Sequence, residues 1–140
     1  MLNSVTNGIQ FKGGSMNENL IEIYVRLKNI LKQYEEPLIA RFDLDSRYDL
    51  WSVKDVVIDG RKKKEVFFAG LIIQSSYVGF YYMPIYAEPE KMKELFSPEL
   101  LKLLKGKSCF HIKKLNEALE KEIEYALKEG YELYMEKGWV

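Results

Sequence analysis

The chain has 140 residues, a single-domain length, and its 21 basic and 21 acidic side chains cancel, which excludes a global field drawing it to nucleic acid or an anionic membrane. Its 47% apolar content excludes wholesale disorder. A lone cysteine, Cys109, excludes an intramolecular disulfide, so a reducing cytoplasm is the expected setting.

No apolar run approaches the roughly 20 residues of a membrane-spanning helix. No basic stretch followed by an apolar one marks a signal peptide. Residues 1–15 carry no sustained period and end in Gly13-Gly14-Ser15, a flexible link. They are expected to be a leader, or a remnant of expression, ahead of one domain spanning 16–140.

A first helix is expected over 18–36, with Asn17 as its cap. Leu20, Ile23, Tyr24, Leu27, Ile30, Leu31 and Tyr34 recur at spacings of three and four and form one apolar stripe. Pro37 ends it, because the residue before a proline avoids helical geometry. Strand-forming residues follow over 39–43, 47–54 and 56–58. Asp59-Gly60 signals a tight hairpin, since both residues tolerate positive φ. The basic run Arg61-Lys62-Lys63-Lys64 then leads into a strand over 65–74.

Strict alternation in that strand puts Val66, Phe68 and Ile72 on one side and Phe67, Leu71 and Ile73 on the other. Both faces are apolar, so the strand is either covered on both sides or stands at an interface. Its partner, 77–83, alternates Tyr77, Gly79, Tyr81 and Met83 against Val78, Phe80 and Tyr82. Short helices are expected over 89–96 and 98–105, the second capped by Ser97 and closed by Gly106. A strand over 108–112 and a long helix from Asn116 to about residue 137 complete the chain. Gly130 inside this helix calls for close packing. The order implies an α+β fold: an antiparallel sheet packed against N- and C-terminal helices, with short helices inserted before the last strand.

Phe67-Phe68-Ala69-Gly70, Tyr77-Val78-Gly79-Phe80-Tyr81-Tyr82-Met83-Pro84 and Lys105-Gly106-Lys107-Ser108-Cys109-Phe110-His111-Ile112, with Gly130-Tyr131-Glu132-Leu133-Tyr134, carry a resemblance. The chain resembles the YdhG-like family of small, mostly uncharacterised bacterial proteins, from about Leu20 to the end. Some members of that superfamily are described as frataxin-like iron chaperones. The resemblance therefore implies an accessory protein holding Fe2+, without catalysis, on surface carboxylates. Glu18, Glu22, Asp43 and Asp49 are the candidates, because hard oxygen ligands on a helix face and adjacent strands suit a divalent cation.

The residues themselves leave other readings open. Gly106-Lys107-Ser108 ends like a phosphate-binding loop, but Leu101 stands where the first glycine belongs and a strand, not a helix, is expected after it. Nucleotide hydrolysis is excluded. Cys109 and His111 share a strand face. One cysteine and one histidine are too few for a structural zinc site, but they suit a packed pair or a polar anchor. Trp51, Tyr81, Lys107, Cys109 and His111 are thus the candidate site for a small anionic ligand, with aromatic walls and a few polar groups. A third reading is a protein-interaction module, a homodimer included, pairing through the strand 65–74. No acid–base pair or activated nucleophile assembles, so catalysis is the least expected function. Neither a nucleic acid nor a membrane is an expected partner.

Overall fold

The structure, a computed structural model, describes residues 16–140 and, within the first helix, side chains from Asn19 onward. The expected leader, 1–15, lies outside the described residues. Helix α1, Met16–Leu31, buries Leu20, Ile23, Tyr24, Leu27 and Leu31, as its spacing requires. Asn17 stands inside this helix rather than at its cap. The α-helix also stops earlier than expected: one 3-10 turn, Lys32–Tyr34, follows, and Glu35 is already extended. The restriction that Pro37 places on Glu36 accounts for that early exit.

Eight strands follow in two antiparallel sheets. They are β1 (Ile39–Asp43), β2 (Arg47–Ser52), β3 (Val56–Ile58), β4 (Arg61–Lys63), β5 (Val66–Ile73), β6 (Val78–Tyr82), β7 (Leu104–Lys105) and β8 (Cys109–Ile112). The main sheet has the order β1-β2-β5-β6-β8-β7, and β3 and β4 form a separate hairpin. Asp59 and Gly60 turn that hairpin with φ of 52° and 77°, the sign a two-residue turn of this kind needs at both positions.

Strict alternation fails in β5. Leu50 pairs with Ala69, but the next residue, Trp51, pairs with Phe67, so Phe68 is the extra residue of a β-bulge. Phe68, Ala69 and Leu71 are all buried, and Leu71 lies opposite core Phe80. Leu71 and Ile73 therefore join Val66 and Phe68 on the core side, leaving Phe67 and Ile72 on the other. The partner strand alternates as expected: Val78, Phe80 and Tyr82 point into the core.

The connection after β6 contains α2 (Pro84–Ala87), α3 (Pro89–Lys93) and α4 (Pro98–Leu101). Ser97 caps α4 by accepting from the Leu100 amide at 3.1 Å, as expected. Leu104–Lys105 is strand rather than helix, so Gly106, with φ of 73°, turns β7 into β8 instead of closing a helix. The final helix, α5 (Glu117–Glu136), starts on Asn116, which accepts from the Leu119 amide at 2.7 Å.

α1, α5 and the short helices bury one face of the main sheet. The aromatic contacts Phe68–Tyr134, Tyr82–Phe96 and Phe96–Phe110 join the layers. Each fully buried leucine or phenylalanine there contributes about 1.5–3 kcal/mol relative to exposure. No helix of the described residues is long and apolar enough to cross a membrane.

Candidate functional site

The opposite face of the main sheet stays partly open. Register puts Arg47, Asp49 and Trp51 of β2, Phe67 and Ile72 of β5, Gly79 and Tyr81 of β6, and Cys109 and His111 of β8 on it. All but Asp49 and Gly79 are partly exposed. Four of the five expected ligand residues thus share a surface, but they stand at different points along the strands.

At one end, His111 stacks flat on Tyr77, with centroids 3.8 Å apart and planes 9° from parallel. Partial burial, then Lys105 and Lys113, hold its pKa below the ordinary value. Arg47 lies over the Phe42 ring, 3.8 Å from its centroid, and pairs with buried Asp49 at 3.0 Å. In the middle, Cys109 lies directly across from Tyr81. Burial pushes the thiol pKa up, against a hydrogen bond with Tyr81 that acts the other way. A thiol held protonated is a packing group rather than a nucleophile.

The other end is concave. A cleft of about 500 Å³ is lined by the apolar side chains of Trp51, Phe67, Met83, Tyr86, Tyr134 and Trp139, with charged groups at its rim. Trp51 and Phe67 pack with centroids 4.9 Å apart. The chain turns back after α5 at Gly138, whose φ is 74°, and Trp139 then meets Tyr134 edge to face at 5.0 Å. Ser52 of β2 donates to the Trp139 carbonyl and fastens this return to the sheet. Tyr134 donates to the Phe67 carbonyl at 2.7 Å, so helix, sheet and C-terminus are locked together around the cleft. The indole N–H of Trp51 is buried and has no acceptor among the described residues. Such an orphan donor forfeits a hydrogen bond worth about 1 kcal/mol or more.

From Trp51 to Arg47 is four residues along β2, roughly 13 Å at strand rise, so His111 does not reach the cleft. Neither does Lys107. It stands in the turn between β7 and β8, 5.8 Å from the Tyr86 ring centroid, and lines a neighbouring depression with Ile85, Pro89 and Lys93. Gly106-Lys107-Ser108 is therefore a strand–strand turn.

The four candidate metal carboxylates are dispersed. Asp43 is held by Lys28 at 2.6 Å, which keeps its pKa below the usual carboxylate range. Asp43 pairs with core-facing Tyr48 on the sheet, whereas Asp49 faces the opposite side and is paired with Arg47. Glu22 borders a depression shared with Arg26, Lys113 and Lys114. The Glu18 side chain lies outside the described residues. Among the described residues no three His, Cys, Asp or Glu side chains are grouped as a metal site.

Of the cleft residues, only Trp51 was a site candidate from the sequence; Phe67, Met83, Tyr86, Tyr134 and Trp139 were not. The one local signal for Trp139 was the glycine before it, which lets the chain reverse after the helix. Comparison with protein-family models, with curated proteins and with solved structures finds no match for this chain.

Proposed function

We propose that the protein is a small accessory binding protein, and that its site is the aromatic cleft where the open sheet face meets the returning C-terminus. The observation that carries this reading is one concave space of about 500 Å³ whose walls include the large side chains of Trp51, Phe67, Met83, Tyr86, Tyr134 and Trp139. That volume suits an organic ligand of ordinary size, and aromatic walls with few polar groups are what such ligands need. The Fe2+ reading implied by the family resemblance has less support, because Asp43 and Asp49 are each neutralised by a cation and face opposite sides of the sheet.

The chain has two tryptophans, Trp51 and Trp139, and both line the cleft. Tryptophan emission, excited selectively over tyrosine, is therefore a reporter of this site. Titration with a panel of aromatic and acyl compounds should give a saturable change in emission and a matching rise in melting temperature. Met83→Lys, which puts an ammonium group in the cleft wall, should abolish both while the circular dichroism spectrum is kept. A ligand that stabilises the protein with no change in emission would place binding elsewhere and overturn the reading.

A further inference from the structure

The charge at one end of the cleft defines its ligand more narrowly, on the reading that the cleft is the binding site. Its rim carries Lys63, Lys137, Asp59, Glu65 and Glu88. Most of these charges already have partners. Lys137 pairs with Glu88 at 2.7 Å and lies 5.2 Å from the Trp139 ring centroid, and Glu65 pairs with Arg41. Lys63 is left without a carboxylate partner among the described residues, and so are Arg61, Lys62 and Lys64 beside it.

The separate β3–β4 hairpin presents these cations as one group. Every residue of β4 is exposed. Lys63 lines the aromatic cleft and, with Lys62, Lys64, Val56 and Val57, also lines an adjoining depression of about 420 Å³. The nearby acids of the hairpin are Asp55 and Asp59, two against four cations. The cleft thus has an apolar interior, and the hairpin beside its Lys63 end carries more cations than acids, with Asp59 the one unpaired acid on the same rim among the described residues.

We infer that the cleft takes a monomeric amphipathic carboxylate, an acyl or aromatic acid, with its apolar body against Trp51, Phe67, Met83 and Trp139 and its carboxylate at Lys63, while Lys62 of the adjoining depression adds to the positive field beside it. The apolar walls supply most of the affinity by removing the tail from water. The exposed lysines select the headgroup. Each solvent-screened charge pair contributes at most about a fivefold factor in affinity, and salt weakens it.

The test uses the full chain and tryptophan emission, with decanoate, decanol and decyltrimethylammonium as ligands of equal tail length below their micelle concentrations. The expected order is decanoate, then decanol, then the cation, with roughly five- to tenfold between decanoate and decanol at low salt. Lys62→Ala combined with Lys63→Ala, both on the exposed hairpin strand, should erase that preference by bringing decanoate affinity down to that of decanol for the same variant. Equal affinity for decanoate and decanol, or a preference that survives the double substitution, would overturn the carboxylate inference while the cleft remains a binding site. No response to any of the three would overturn both. Adsorption to vesicles of phosphatidylglycerol and phosphatidylcholine without decanoate binding would show the lysines to serve a lipid surface and would also overturn it.

Discussion

Gly130 is the seat of the Tyr82 hydroxyl: a Cβ at position 130 would stand 2.5 Å from that oxygen and 2.6 Å from Cγ of Pro84. A glycine in mid-helix ordinarily costs about 1 kcal/mol relative to alanine, so propensity alone makes Gly130→Ala stabilising. The packing reverses the sign. Tyr82 is fully buried and its hydroxyl donates to the Ala126 carbonyl, and the proline ring cannot swing aside. Gly130→Ala should lower stability by about 1–3 kcal/mol, the usual cost of overpacking a core. Urea unfolding monitored by circular dichroism reads the difference. A raised midpoint would mean that α5 shifts freely on the sheet.

The same contact predicts a coupling. Tyr82→Phe removes a buried hydrogen bond and should cost about 1 kcal/mol in the natural chain. In the Gly130→Ala background the lost hydroxyl also removes the nearest clash, so the same change should cost less or stabilise. The double-mutant cycle should therefore give an interaction of at least about 0.5 kcal/mol. Additive effects would show that Pro84 alone sets the limit at position 130.

Gly130 is also a place where sequence reading reached the right answer for a physical reason. A glycine that lowers helix propensity implies a neighbour close to the backbone, and Tyr82 and Pro84 are that neighbour. Asp59-Gly60, Ser97 and Asn116 were equally legible, because turn and cap chemistry depends only on adjacent residues. Phe68 was not legible. Its alternation is broken by pairing with Leu50 and Trp51 on another strand, and nothing within 65–74 records that. Lys105 and Gly106 were read as a helix end because glycine closes helices and turns hairpins alike, and here pairing of Lys105 with Cys109 decides between them. The candidate site divides in the same way. Alternation put Tyr81, Cys109 and His111 on one face, but the cleft exists because Trp139 returns to Trp51 across the fold. A contact of that range has no local pattern.

His111 should titrate on the acid side of its ordinary value of 6.5, because partial burial and the nearby Lys105 and Lys113 disfavour the imidazolium. With the folded pKa depressed, the unfolded chain binds a proton that the folded chain does not between the folded value and 6.5. Stability therefore falls as pH drops from 6.5 through the folded pKa, and is flat in this respect above 6.5. The chain has one histidine, so its ring proton resonance is assigned without ambiguity. A midpoint below 6.5 is expected by NMR, and His111→Gln should flatten the dependence of the urea midpoint on pH just below 6.5. Asp43 and Glu88, both depressed by lysine partners, act further into acid and should be untouched by that substitution. A midpoint at or above 6.5 would mean that the Tyr77 stack favours the cation enough to outweigh both lysines.

Cys109 should react slowly. The thiolate is the attacking species, and burial on the sheet raises the thiol pKa, with the Tyr81 hydrogen bond opposing it only in part. The one histidine gives no help, since its ring is stacked on Tyr77 and is itself biased toward the neutral form. Exchange with a small aromatic disulfide at pH 8 should be slower for the folded protein than for the chain in urea, since a raised pKa leaves less thiolate at any pH below it. The folded rate should go on rising with pH beyond about 8.5, where the ordinary thiol begins to level. Tyr81→Phe removes the hydrogen bond that favours the thiolate, so it should slow the reaction further wherever access to the sulfur is unchanged. A folded rate equal to that in urea, with a plateau at the ordinary pKa, would show instead that the sulfur is fully solvated, and the flat face around Tyr81 would then have to open well beyond its described packing.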